Sequence, residues 1–150
     1  MLIGVPGSGK STWIKAQNFD PSTTVVASTD NEIERVAAEY GKTYSDVFTD
    51  AIKGATAIVN QNVINAVRAG KDLVWDQTNT AVKARKQKLD MIPKSYKKVA
   101  VVFPTPGAVE LGRRLAGRPG KNIPDHVMRS MIAGLQPPTT AEGFDQIVTA

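Results

Sequence analysis

The sequence predicts an α/β fold in which helices sandwich a four- or five-stranded parallel sheet, and three observations carry that prediction. Short β-rich runs alternate with segments of helical period along the whole chain. The run from Lys98 to Phe103 is apolar almost throughout, as a parallel strand covered on both faces must be. A glycine-rich stretch, GVPGSGKS, stands between the first apolar run and the first helical segment.

The elements follow in order. Met1 to Gly4 reads as a short strand and Lys10 to Gln17 as a helix. Thr24 to Ser28 reads as a second strand. Asp30 opens a helix whose apolar stripe is Ile33, Val36, Ala37 and Tyr40, and Gly41 closes it. Thr43 with Asp46 forms a capping-box pattern ahead of a long helix that places Phe48, Ile52, Ala55, Val59, Val63 and Ala66 on one face. Gly70 ends that helix. Asp72 to Trp75 is a strand, DQTNT a turn, and Ala81 to Met91 a helix. After the strand Lys98 to Phe103 come a helix from Gly107 to Ala116 and a Gly/Pro/basic loop from Gly117 to Ile123. Pro124 suits the first turn of the next helix, and Pro137 and Pro138 are placed to stop it. Asp145 to Thr149 is the last strand. No repeat or low-complexity tract interrupts the pattern, so the 150 residues read as a single domain.

Composition narrows the chemistry. Hydrophobic residues make up 41% and charged residues 22%, the profile of a globular domain. With no cysteine, disulfides, thiolate nucleophiles and cysteine-ligated zinc are excluded; one histidine, His126, argues against a histidine metal site. No apolar stretch reaches the ~18 residues of a membrane span, and the start lacks a basic leader, so a soluble cytoplasmic protein with no membrane partner is expected. The net charge of +5 is unevenly placed. Residues 83–129 hold twelve Lys/Arg against Asp90, Glu110 and Asp125, a net +9, which leaves −4 for the rest. Such a segment reads either as a face for nucleotide or nucleic-acid phosphates or as a solvated helical surface.

GVPGSGKS matches the phosphate-loop pattern G-x-x-x-x-G-K-[ST] in full. Gly4, Pro6, Gly7, Ser8 and Gly9 let the backbone wrap phosphate oxygens, and the N–H groups at the helix start, through Ser11 and Thr12, point at the anion. Lys10 is expected to reach the β- and γ-phosphates of ATP, and Ser11 to ligate Mg²⁺. Asp30, at the carboxyl end of the second strand, is placed either to accept a proton from an attacking hydroxyl or to cap the following helix. Asp76 closes the third strand and is expected to hold Mg²⁺ through a water, beside Thr78 and Asn79; the same residues could simply build a turn. Arg113, Arg114, Arg118 and Lys121 surround a glycine-flanked loop, which reads as a mobile basic lid over residues 113–124 or as an exposed basic loop. Lys83, Arg85, Lys86 and Lys88 read as helix-surface charge. Trp13 and Trp75 read as packing residues with base stacking as the alternative, and His126 as a surface residue.

This constellation resembles the polynucleotide 5′-hydroxyl kinases, members of the P-loop kinase superfamily found in phage RNA-repair enzymes and in the kinase half of animal DNA-end-repair enzymes. GVPGSGKSTW is similar to the family's phosphate loop. Asp30 stands twenty residues after Lys10, where the family places its general base, and WDQTNT is similar to its D-x-T-N turn. Arg85 matches an arginine six residues beyond the Asn, Arg118 and Arg114 match lid arginines, and PPTTAEGFDQI resembles the ending of the animal enzymes. The resemblance implies ATP-dependent, Mg²⁺-dependent transfer of the γ-phosphoryl to the 5′-OH of DNA or RNA. It implies Lys10, Asp30 and Arg118 as catalytic residues and Arg114 and Arg118 on the nucleotide phosphates. Asp30, Arg35, Thr78, Asn79 and Arg85 would lie on the acceptor. Phage members carry an arginine three residues after the base; here Ile33 stands there and Arg35 lies two residues on. No D-x-D-x-T phosphatase motif is present. A P-loop kinase of a small-molecule hydroxyl and a non-kinase nucleotide switch are the other readings.

Overall fold

The structure is a computed structural model that describes all 150 residues. Its elements are β1 (Leu2–Ile3), α1 (Lys10–Gln17), β2 (Thr24–Ala27), α2 (Thr29–Glu39), α3 (Tyr44–Arg68), β3 (Asp72–Trp75), α4 (Val82–Leu89), β4 (Val99–Val102), α5 (Ala108–Ala116), α6 (Asp125–Ala133) and β5 (Gln146–Thr149). All strand pairs are parallel. β1 pairs with β4 (Leu2 opposite Val101), β4 with β5 (Val101 opposite Val148), and β2 with β3 (Ala27 opposite Trp75). The five strands form a three-stranded ladder, β1-β4-β5, and a two-stranded one, β2-β3. The two meet where β1 ends: the Gly4 N–H donates to Thr78 O at 2.9 Å, just beyond β3.

Alternation along the strands builds two apolar layers. Leu2, Val74, Val101 and Phe103 face one side and gather Trp13 and Ile14 of α1. On the other side Ala27 and Trp75 pack on Val59 and Val63 of α3, while Ile3 and Ala100 pack on Leu89 of α4 and on Phe144. Each fully buried aliphatic side chain of this kind contributes about 1.5–3 kcal/mol. α2 and α3 form a hairpin closed by Ile33, Ala37, Val47 and Ala55. Beneath the phosphate loop, Val5 packs on Leu111 of α5 and Met128 of α6.

Local signals account for most boundaries. The Thr43–Asp46 capping box is present at the start of α3, with both reciprocal bonds made. Ser28, not Asp30, caps α2, because the Ser28 hydroxyl takes the Asn31 N–H. That leaves the Asp30 carboxylate free to turn elsewhere. Tyr40 is 69% exposed and lies off the α2 stripe, since the hairpin's apolar seam ends at Ala37. Phe48 likewise leaves the buried face of α3 and is 40% exposed. Pro124 caps α6 from outside the helix, and Gly134 ends it before Pro137 and Pro138 are reached. A 3₁₀ turn at Thr140–Glu142 was not anticipated from the sequence, although Thr139 and Glu142 form a capping box of their own.

Arg85 is structural rather than acceptor-facing. The Arg85 side chain is 0% exposed. It forks onto the Glu142 carboxylate at 2.7 and 2.9 Å and donates to the carbonyls of Asn79, Thr80 and Gln136. A buried guanidinium saturated in this way cannot also serve a substrate. Asn79 adopts the left-handed region (φ 50°) and donates to Leu2 O at 2.7 Å, tying the turn after β3 to β1. Arg85→Ala should lower the unfolding free energy by about 3–5 kcal/mol, because Glu142 would lose its one cationic partner and keep only the Thr139 N–H. Urea denaturation measures this, and a loss under ~1 kcal/mol would place the pair in contact with water.

Candidate active site: a phosphate loop, two carboxylates and a docked basic lid

Where β1 ends, the chain turns through Gly4 to Gly9 and enters α1. Gly9 has φ 106°, and a Cβ there would meet only Arg114 Nη1 at an ordinary 3.9 Å, so backbone conformation alone demands glycine there. Gly4 is needed for a different reason: a Cβ would fall 2.6 Å from Ser8 Oγ and 2.9 Å from Phe103. Gly4 and the Ser8 side chain therefore lie behind the loop, and Ser8 Oγ is buried without a hydrogen-bond partner. The Ser8 N–H is also turned inward, to Val5 O. By contrast, the N–H groups of Gly7, Gly9, Lys10, Ser11 and Thr12 have no acceptor in the protein. They open at a helix N-terminus, the arrangement that binds phosphate oxygens.

Lys10 folds back over this loop, donating to Gly4 O at 2.8 Å and Val5 O at 2.9 Å. Burial lowers its pKa to about 8, against the opposing pull of Asp76 and Asp30. Asp76 lies at the carboxyl end of β3, and its carboxylate takes no hydrogen bond from the protein. Burial raises its pKa while Lys10 pulls it down. Ser11, in the first turn of α1, lines the same cavity as Asp76. The chain has no cluster of three His, Cys, Asp or Glu side chains. A hydroxyl and one free carboxylate beside a phosphate nest suit Mg²⁺, which takes few protein ligands and completes its shell with phosphate oxygens and water.

Asp30 faces this group from the start of α2. Its two oxygens are held by different elements: Tyr44 of α3 donates its hydroxyl at 2.8 Å, and Lys121 of the lid approaches to 2.5 Å. Burial pushes the Asp30 pKa up, but the bonds and charge of Lys121 and the Tyr44 hydroxyl outweigh it, so the carboxyl sits below its usual range. Burial and the Asp30 charge push the Tyr44 phenol above its ordinary pKa, so it remains a donor. Lys121 also lies 3.4 Å from Glu34 and 4.0 Å from the centroid of the Tyr44 ring. The lid is further docked on α3 by its backbone: Ser45 N donates to Gly120 O at 3.0 Å, and Asn122 N to Ser45 Oγ at 2.9 Å. Gly120 has φ 70°, and a Cβ there would stand 2.9 Å from Thr43.

Arg118 projects from this docked lid into the cavity, half-buried and without a hydrogen bond to the protein. Its charge acts on Asp30, Lys10 and Asp76. Arg114 is tied to the phosphate loop, donating to Gly7 O at 3.0 Å and Glu110 at 2.6 Å. The loop residues from Pro6 to Thr12 thus share one cavity of about 1510 Å³ with Asp30, Asp76, Thr78, Arg114 and Arg118. Arg35 is not among its walls; it lies on the outer surface of α2 between Glu32 and Glu39. Trp75 is buried, Trp13 packs on Phe19 and Phe103, and His126 is exposed.

Three contributors escape a linear reading. Tyr44 looks like any residue opening an amphipathic helix. Gln77 donates to the Thr29 hydroxyl at 3.1 Å and so braces the start of α2 next to Asp30. Lys88 lines the cavity although it has the spacing of a surface lysine.

A phosphate nest at the end of a parallel strand, with two carboxylates and an arginine lining the same cavity, marks a P-loop domain. The chain belongs to the AAA domain family, whose model matches residues 1–138. Among solved structures, a chain of the Pnkp1/Rnl/Hen1 RNA repair complex shares the fold, with a TM-score of 0.68 at 24% identity. The match covers 96% of this chain and 45% of that one. No helix is long and apolar enough to cross a membrane.

Lys121→Met should raise the pKa of Asp30, because the depressing charge and hydrogen bond are lost together. Carboxyl NMR titration reads this directly, and an unchanged Asp30 titration would mean the lid does not dock on α2 and α3 in solution.

Proposed function

We propose that the protein is an ATP-dependent polynucleotide 5′-hydroxyl kinase, moving the γ-phosphoryl of ATP to the 5′-OH of a DNA or RNA strand. The observation that carries this reading is the meeting of Lys10, Asp30 and Arg118 in one cavity, with the phosphate nest on one wall and Asp30 opposite. The reading is further supported by the fold shared with a chain of an RNA repair complex.

ATP phosphates lie on the free N–H groups of Gly7 and of Gly9 to Thr12. Lys10 exchanges its bonds to Gly4 O and Val5 O for β- and γ-phosphate oxygens, which favours its charged form. Ser11 and Asp76 would hold Mg²⁺, which when bound neutralises charge on the phosphate oxygens. Asp30 accepts the acceptor's O–H, orienting the hydroxyl and taking its proton as the new O–P bond forms and ADP leaves. The depressed pKa keeps Asp30 ionised for that task across the neutral range, and Tyr44 fixes the direction of its carboxylate. Arg118 lies over the transferred group, where charge on its outer oxygens is greatest. Docking of the lid by Gly120, Lys121 and Asn122 excludes water from that space and so disfavours hydrolysis. Positioning and electrostatics supply most of the rate, as in other phosphoryl transfers.

A small-molecule hydroxyl is the second acceptor class, favoured by one observation: the cavity wall from α2 and α3 carries Asp30 and Glu34 but no cation. Incubation with γ-labelled ATP and 5′-OH oligonucleotides, in parallel with nucleosides and sugars, separates the two. The expected outcome is labelled oligonucleotide. Asp30→Ala should lower the transfer rate about 10²–10⁴-fold with ATP affinity nearly unchanged. Label on sugars or nucleosides alone would reject the polynucleotide reading, and an Asp30→Ala enzyme of wild-type rate would reject Asp30 as base.

A further inference from the structure

The cations lining the cavity differ in what neutralises them. Lys121 pairs with Asp30 and Glu34, and Arg113 and Arg114 pair with Glu110. Lys15 is exposed on α1. That leaves Lys10, Arg118 and Lys88, all half-buried and all without a carboxylate partner. The kinase reading uses Lys10 and Arg118 on the transferred phosphate. Lys88 has no part in it, yet its environment is the same kind: a desolvated ammonium with no counter-charge.

Lys88 is held in place rather than loose. It donates to Asn79 Oδ1 and lies 5.8 Å from the centroid of the Trp75 ring. Asn79 is anchored in turn to Leu2 O, and Trp75 is 4% exposed. The remaining ammonium hydrogens meet no protein acceptor. Burial lowers the Lys88 pKa to about 8. Lys88 thus opens on the same cavity as Lys10, Asp30 and Arg118 but is held by a different set of contacts. Its wall, shared with Ala84 and Gln77, continues from the Asp30 region across the turn after β3. The opposite wall cannot supply a cation, since Ile33 is buried in the α2–α3 seam and Arg35 is engaged outside.

We propose that Lys88 binds an internucleotide phosphate of the acceptor strand, close to the 5′ end whose hydroxyl meets Asp30. The proposal rests on the kinase reading above and assigns the acceptor-charge contact to α4. A phosphate oxygen would take the free ammonium hydrogens while Asn79 keeps the third, and strand acceptors would be preferred over uncharged ones.

The test compares wild-type protein and Lys88→Gln on 5′-OH oligonucleotides that are either all phosphodiester or carry a neutral methylphosphonate at the first or second linkage. Lys88→Gln should raise KM for the all-phosphodiester acceptor about tenfold and leave KM for ATP unchanged. It should also reduce the salt dependence of log kcat/KM by about 0.7. One of the methylphosphonates should cost the wild type a similar factor, and Lys88→Gln should add nothing on that acceptor. Lys88→Arg should restore most of the loss. Additive losses, an unchanged salt slope, or equal use of every acceptor by the wild type would overturn the proposal. The methylphosphonate arm on wild-type protein decides even if the variant folds poorly. Failure of the wild type to label any oligonucleotide would sink the kinase reading as well, and is distinguishable from labelling that ignores Lys88.

Discussion

A single buried charge organises the back of the cavity. Enclosing the Arg85 guanidinium inside the domain is costly unless its donors are met, and the chain meets them from three places. Glu142 comes from the 3₁₀ turn before β5, the Asn79 and Thr80 carbonyls from the turn after β3, and the Gln136 carbonyl from the segment after α6. These segments are far apart in sequence, so the one side chain closes several long loops at once. The turn held by Arg85 is the same turn that presents Asp76 and Thr78, and Asn79 links it to β1 just before the phosphate loop. Geometry at the nucleotide end therefore depends on a residue that never reaches the ligand.

The front of the cavity is organised differently, around Asp30. Because Ser28 performs the capping of α2, Asp30 is released to bind Tyr44 and Lys121. Those two bonds join α2, α3 and the lid at one carboxylate. The arrangement has a chemical consequence: the same contacts that dock the lid hold Asp30 in its ionised form. Under the proposed kinase activity, the docked loop would thereby link water exclusion to proton acceptance at Asp30.

The phosphate loop, the alternation of strands and helices and the α3 capping box were legible because each depends on neighbours within a few residues. Glycine at a φ of 106° and a Thr–Asp box act locally whatever surrounds them. The structural role of Arg85 was not legible for the opposite reason. An arginine on a helix has the same sequence signature whether it faces solvent or a distant glutamate, and Glu142 lies 57 residues away. The stripe positions Tyr40 and Phe48 failed where the helix hairpin ended and the cavity began, a boundary that no periodicity contains.

By itself the sequence determined a parallel α/β domain with a nucleotide-phosphate loop at its start, since glycine freedom, strand alternation and helix capping are short-range properties of the chain. Tertiary structure alone decided which charges are spent inside the fold and which face the cavity. Burial and pairing make that choice, and both depend on elements far apart in the chain. Thus Arg85 is enclosed and Arg35 turned outward, while Lys10, Arg118 and Lys88 are left half-buried without a counter-ion.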